Sequence, residues 1–174
     1  MYYYKNINGE YDTIVSMNNA INYIFKDKSI SGRKNFHSYG FGVYDLNHTL
    51  EEFLLVKNYF NQLSGKLIKH FSISFATKDY FTGFDADEFA SHVCVYFCMR
   101  YQIVYSVHTD TQHLHIHFVV NTTSFVDGKR LDESYEEYSK FRRYLNQCYR
   151  IAKTKSNAIL KMFRQQEREA WGEP

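Results

Sequence analysis

Four of the eight histidines in this 174-residue chain fall within ten residues, in the stretch 107–121 (VHTDTQHLHIHFVVN). Side chains of an extended strand alternate between faces, which puts His113, His115 and His117 on one side and Leu114, Ile116, Phe118 and Val120 on the other. Same-face neighbours stand roughly 6–7 Å apart at Cα, close enough for two imidazoles to converge on one ion. The polar residues 109–112 read as a turn that folds His108 back beside this strand and supplies a third nitrogen. Three neutral imidazoles bind a divalent ion and leave positions open for a substrate oxygen. Asp110 is placed to accept the outer N–H of one ligand and fix its tautomer. A four-residue turn would set His108 opposite His113, so His108/His113/His115 and His108/His115/His117 both stand as ligand sets.

Three histidines without cysteine permit hydrolysis at zinc, a non-haem oxygenase or phosphoryl transfer. An iron facial triad needs a carboxylate, for which Asp110 is the nearby candidate, and no carboxylate pair suits a two-metal phosphodiesterase. A nucleophile is available upstream. Tyr23 sits in a helical stretch and is followed by Lys26, Asp27 and Lys28. A tyrosine hydroxyl attacking a metal-polarised phosphate conserves the bond energy in a covalent phosphotyrosine for later rejoining.

These residues need elements to position them. Residues 2–7 (YYYKNI) read as a short strand ended by Asn8-Gly9. Ile14, Met17, Ile21, Ile24 and Phe25 follow a helical period over 13–26. Residues 29–48 read as a loop with at most a short strand around 41–45. Thr49 with Glu52 forms a candidate capping box for a helix over about 50–63. Residues 66–76 (KLIKHFSISFA) read as a strand with His70, Ser72 and Ser74 facing one side and Phe71, Ile73 and Phe75 the other. A third helix runs from Asp85, with Glu88 three residues on, to Met99. Strands over 102–108 and 113–121 are followed by a turn at Asp127-Gly128, a helix over 134–153 and a charged helical tail over 157–168. Strands joined partly by hairpins and partly by helices imply an α+β domain, with helices against a mainly antiparallel sheet.

Composition sets outer limits. With 44% hydrophobic residues the chain is globular, and its length suits one domain. No apolar run reaches the length of a membrane span, and residues 1–12 lack a secretion signal, so the expected location is the cytoplasm. Cys94, Cys98 and Cys148 are an odd set, expected to be reduced thiols. A net charge of +2 does not announce a nucleic-acid binder. Basic residues recur between Lys129 and Arg168, however, and aromatics reach 18%, a combination that suits single strands through stacking and phosphate contacts.

The pattern His108-x-Asp110-x-x-His113-x-His115-x-His117-x-x-x-Asn121 resembles the third motif of relaxases of the mobilisation-nuclease type, within the HUH endonuclease superfamily. The segment 20–24 (AINYI), with Lys28 behind it, resembles their first motif. Residues 70–75 and the turn Asp127-Gly128-Lys129-Arg130 are weaker matches, and the motifs keep their order over residues 1–155. The resemblance implies a relaxase nicking domain with a ferredoxin-like palm over 1–155, and a helical extension over 156–174. It implies single-stranded DNA at an origin of transfer as substrate, accessory mobilisation proteins as partners, and a 5′-phosphotyrosine adduct. It assigns Tyr23 as nucleophile, Asp110 as orienting or activating acid, and His108, His115 and His117 as ligands of Mg²⁺ or Mn²⁺. His113 and Asn121 take supporting roles, and Lys28, Lys129 and Arg130 contact DNA. Tyr2, Tyr3, Tyr4 and Tyr11 are alternative nucleophiles if the N-terminal strand runs beside the site. Rolling-circle initiators and transposases of the superfamily usually place the histidine pair before the tyrosine, whereas Tyr23 precedes the cluster here. A non-catalytic DNA-binding relative of the same fold and a hydrolase of small substrates are the remaining alternatives.

Overall fold

The structure is a computed structural model, and it describes residues 1–25, 37–76, 81–109 and 113–171. Lys28, Asp110 and the tip of the 109–112 turn lie outside the described residues. Five strands form one antiparallel sheet: β1 (Tyr2–Asn6), β2 (His37–Phe41), β3 (Ile68–Phe75), β4 (Ile103–His108) and β5 (His115–Asn121). Their spatial order is β1-β3-β5-β4-β2, with every neighbouring pair antiparallel. Four helices accompany them: α1 (Ile14–Phe25), α2 (Thr49–Tyr59), α3 (Gly83–Val95) and α4 (Tyr135–Trp171). The expected α+β architecture is the one observed.

Strand alternation sorts the side chains into two layers. Phe71, Ile73 and Phe75 of β3, Ile103, Tyr105 and Val107 of β4, and Ile116, Phe118 and Val120 of β5 pack on one face with residues of α3 and α4. The opposite face is split along its length. At one end Ile68, Val104 and Val119 are covered by Met17, Ala20, Ile21 and Ile24 of α1 and by Phe53 of α2. At the other end the same face carries His70, Ser72 and Ser74 of β3, Ser106 and His108 of β4, and His115 and His117 of β5. Burying the apolar end fixes the register, because a one-residue slip would turn every histidine into the α3/α4 core.

Several local expectations are corrected. The strand within 29–48 is β2, earlier than the expected 41–45, and Asp45 caps a 3₁₀ turn at Leu46–His48 instead. Thr49 is not the N-cap of α2: it closes the 3₁₀ turn, where its hydroxyl donates to the Leu46 carbonyl. The Glu52 carboxylate accepts from the Tyr44 and Asp45 amides, reaching past the helix start to hold the preceding loop. Helix α2 ends at Tyr59, not 63. Helix α3 starts at Gly83 under a capping box built by Thr82 and Asp85, two residues before the expected start. The two C-terminal helical stretches are one helix of 37 residues, about 55 Å long. It runs through residues 155 and 156 without a break.

Candidate active site

The polar end of the α1/α2 face is organised in rows across the sheet. Ser72, His117 and Ser106 face one another across β3, β5 and β4 in one row, and Ser74, His115 and His108 in the next. Small serines on both sides of His117 leave room for its ring. His108 is thus opposite His115, not His113, which separates the two ligand sets left open by the sequence. One ligand nitrogen each from His108, His115 and His117 lies within 4.8 Å of the others. His113, exposed and outside strand β5, is not in that group.

Each member of the group has one ring nitrogen engaged in a hydrogen bond, which leaves one for a ligand. His108 is fully buried, and its Nε2 lies 2.8 Å from the Ile24 carbonyl. A carbonyl oxygen only accepts, so Nε2 carries the hydrogen and Nδ1 keeps its lone pair. The His115 Nδ1 donates to the His113 carbonyl at 2.9 Å, which leaves Nε2 as the donor of an electron pair. The His117 Nδ1 is 3.0 Å from His70 Nε2. Three imidazoles with outward hydrogen bonds to orient them are the donor set of a divalent-metal site with positions left for substrate. By this chemistry the residues fit such an ion.

Helix α1 presents a second stripe beside its buried one. Met17, Ala20, Ile21 and Ile24 go into the core, while Ser16, Asn19, Ala20 and Tyr23, at the same helical spacing, line a cavity of about 390 Å³. Ile7, Tyr11, His70 and His117 complete its wall. Tyr23 is 43% exposed, so its phenol is accessible. Its ring meets His117 edge-on at a centroid separation of 5.3 Å and lies 6.2 Å from His70. Thr13 starts this helix by accepting from the Ser16 amide at 3.1 Å. The bond from His108 to Ile24 ties its last turn to the histidine cluster.

Two residues at the site were not assigned a role there by motif. His70, 4% exposed, bridges His117 and the Tyr11 hydroxyl, which sits 2.9 Å from His70 Nδ1. Burial pushes its imidazolium down to about 4, so the ring is neutral near pH 7. Tyr11 has its pKa raised by burial and by the nearby Tyr23, and stays a phenol. The sequence signal for His70 was its place on the Ser72–Ser74 side of β3. Tyr11 stood only as one of several alternative nucleophiles. Of the others, Tyr2 and Tyr4 point to the α4 side, where Arg142 lies 5.5 Å and 5.6 Å from their ring centroids. Tyr3 is exposed on the edge strand.

Other assigned residues lie elsewhere. Asn121 is buried at the far end of β5, where its amide donates to Gln102 Oε1 and the Phe53 carbonyl. Six residues of strand separate it from His115, about 20 Å. Lys129 and Arg130 follow that same end. Lys129 is exposed and 3.6 Å from the Asp127 carboxylate. Arg130 donates to the Lys66 carbonyl at 3.1 Å and to the Ser64 carbonyl.

A relaxase nuclease-domain model, described as MobA/VirD2-like, matches residues 23–152, from Tyr23 through the histidine strand and into α4. The chain belongs to this relaxase family. Among solved structures, the chain is similar to one described as "Molecular Basis of Vancomycin Resistance Transfer in Staphylococcus aureus", with a TM-score of 0.60 at 12% identity. The alignment covers 89% of this chain and 93% of that one, and at this identity it shows a shared fold. No curated protein matches the chain. Among the described residues, no helix of this relaxase domain is long and apolar enough to cross a membrane.

Proposed function

We propose that this relaxase domain nicks single-stranded DNA at an origin of transfer by transesterification through Tyr23. The observation that supports it best is the edge-on contact of Tyr23 with His117, itself one of three converging imidazoles. His108, His115 and His117 would hold a divalent ion, Mg²⁺ or Mn²⁺. When bound, that ion supplies polarisation of a non-bridging phosphate oxygen and neutralises charge that builds on it.

The chain's own residues do the rest. Helix α1 sets Tyr23 in the wall of the cavity, and its phenolic oxygen attacks the phosphorus of the scissile diester. The P–O3′ bond breaks as the Tyr–O–P bond forms, and the phenol loses its proton, so that in net balance one proton passes from Tyr23 to the departing 3′ oxygen. The strand then ends in a free 3′-hydroxyl, once its oxygen has taken up a proton, and its other part remains as a 5′-phosphotyrosine. One phosphodiester is exchanged for another, so rejoining needs no outside energy. Positioning and electrostatics carry most of such a phosphoryl transfer. Asp110 is proposed to orient a ligand or assist the nucleophile, His113 to support the site through its carbonyl to His115, and Lys28 and Lys129 to meet the DNA backbone with accessory mobilisation proteins, whereas Asn121 and Arg130 are proposed to serve the fold at the far end of the sheet.

The test is covalent capture. A randomised single-strand library is incubated with the protein and Mn²⁺, and protein–DNA adducts are recovered under denaturing conditions and sequenced. Recovered strands that share one 5′ end support the proposal, whereas no adduct with Mn²⁺ or Mg²⁺ counts against it.

A further inference from the structure

The chain Tyr11–His70–His117 has two hydrogen bonds in line and therefore only two consistent polarities. If His117 keeps a proton on Nε2, its Nδ1 accepts from His70 Nε2–H, and His70 Nδ1 accepts from the Tyr11 hydroxyl. If instead His117 gives its Nε2 lone pair to a metal, its Nδ1 must carry the hydrogen. Then His70 Nε2 accepts, His70 Nδ1–H donates to the Tyr11 oxygen, and the Tyr11 O–H hydrogen is turned away from His70. A neutral imidazole with one donor and one acceptor can run in either direction, and the metal selects one.

The placement of Tyr11 shows why that matters. Its ring lines the same cavity as Tyr23 and His117. Its backbone is left-handed, with φ +39, a conformation rare for an aromatic residue and one that clusters at functional sites. Its carbonyl is held by the Leu67 amide at 2.7 Å. The ring lies so close over Gly9 that a Cβ there would sit 2.6 Å from the Tyr11 Cζ. Leu67 thus holds the Tyr11 backbone, Gly9 leaves room for the ring and His70 holds its hydroxyl, far more than a solvated surface tyrosine needs.

We infer that Tyr11 is a hydrogen-bond donor to the scissile phosphate, and that His70 is the positioning residue that turns this donor toward substrate when metal occupies the histidine group. The inference rests on the metal and phosphodiester reading above, but not on Tyr23 being the nucleophile. The Tyr11 hydroxyl donates to a phosphate oxygen while its own oxygen accepts from His70 Nδ1–H. No bond to Tyr11 forms, and its proton is shared and not transferred. A donor already aimed before substrate arrives costs no reorganisation during the reaction.

The test uses Zn²⁺ as a diamagnetic probe and dimethyl phosphate as a minimal phosphodiester, so no cognate DNA sequence is needed. Imidazole ¹⁵N spectra of the Zn²⁺-loaded protein are expected to show His70 protonated at Nδ1 and His117 at Nδ1. Tyr11→Phe, which removes one oxygen from a ring that keeps its packing, should bind Zn²⁺ as the wild type does. It should bind dimethyl phosphate roughly three- to tenfold more weakly, the scale of one hydrogen bond. His70→Ala should weaken Zn²⁺ binding by about 10–100-fold, the usual effect of losing an outer partner. His70→Gln, whose amide both accepts and donates, should recover part of it.

A His70 proton on Nε2 in the loaded protein, or equal dimethyl phosphate binding by Tyr11→Phe and wild type, overturns the inference. Absence of Zn²⁺ binding by wild type, or of dimethyl phosphate binding by the loaded wild type, overturns the metal–phosphodiester reading and this inference together. Absence of a Tyr23 adduct with both probes bound as expected would remove the nucleophile assignment alone.

Discussion

His108 and His115 face each other directly across the β4–β5 ladder, with ring centroids 5.1 Å apart, and His117 completes the triangle at 5.0 Å and 5.2 Å. This register, rather than the four-residue turn expected from sequence, decides which histidines converge. His115→Ala should therefore weaken Mn²⁺ binding by more than about 100-fold, beyond the loss of an outer partner. His113→Ala should leave it nearly unchanged, because His113 contributes its carbonyl to His115 and not its ring. Isothermal titration with Mn²⁺ checks both, and a large loss in His113→Ala would contradict the assigned group.

Arg130 is expected to act on stability more than on DNA affinity. Its guanidinium spans the carbonyls of Ser64 and Lys66, clamping the turn that leads into β3. Arg130→Ala should lower unfolding stability by about 1–2 kcal/mol, as expected for charge-assisted hydrogen bonds near the surface. Denaturant melts measure this loss. Single-strand affinity measured beside them should fall little, and a large affinity loss at unchanged stability would restore a direct DNA contact.

Lys57 gives the fold a pH dependence of definite sign. It is fully buried, and its ammonium donates to the hydroxyls of Thr122 and Thr123 at 3.3 Å and 3.1 Å. Burial, aided by the charge of Arg130, pushes its pKa from 10.5 down to about 7. Between those values the unfolded chain binds a proton that the folded chain does not, so stability rises with pH across that window. The destabilisation is fully present below about pH 7 and gone above about 10.5. Lys57→Met should raise the melting temperature at pH 6, by a few kcal/mol at most in stability. The advantage should shrink toward pH 10. A constant difference at all pH values would show that Lys57 does not titrate in this way.

Period-two and helical patterns made much of this molecule legible in advance. Alternation along 113–121 and 66–76 assigned Leu114, Ile116, Phe118 and Val120, and Phe71, Ile73 and Phe75, to one side, and they are the side chains that meet α3 and α4. The period of Met17, Ile21 and Ile24 marked the buried stripe of α1. Local hydrogen bonding was less legible. Thr49 and Glu52 have the spacing of a capping box, but Glu52 finds two backbone amides outside the helix, a partner that spacing within the helix cannot reveal. Cross-chain relationships were the least legible. His70 comes to His117 as its diagonal neighbour on the paired strands, and Tyr11 arrives through a left-handed turn. Alternation gave the face of His70 but not its partner, and Tyr11 carries no local pattern. The same reason explains Asn121 and Arg130, which stand near the histidines in sequence but at the far end of the sheet.

The most direct test concerns Tyr23. Wild type and Tyr23→Phe are each incubated with Mn²⁺ and the single strand recovered by covalent capture, and tryptic peptides of any adduct are mapped by mass spectrometry. The expected result is a nucleotide on the Tyr23 peptide in wild type and no adduct in Tyr23→Phe, with strand binding retained. An adduct that persists in Tyr23→Phe, or that maps to another tyrosine, would contradict the assignment of Tyr23 as the nucleophile.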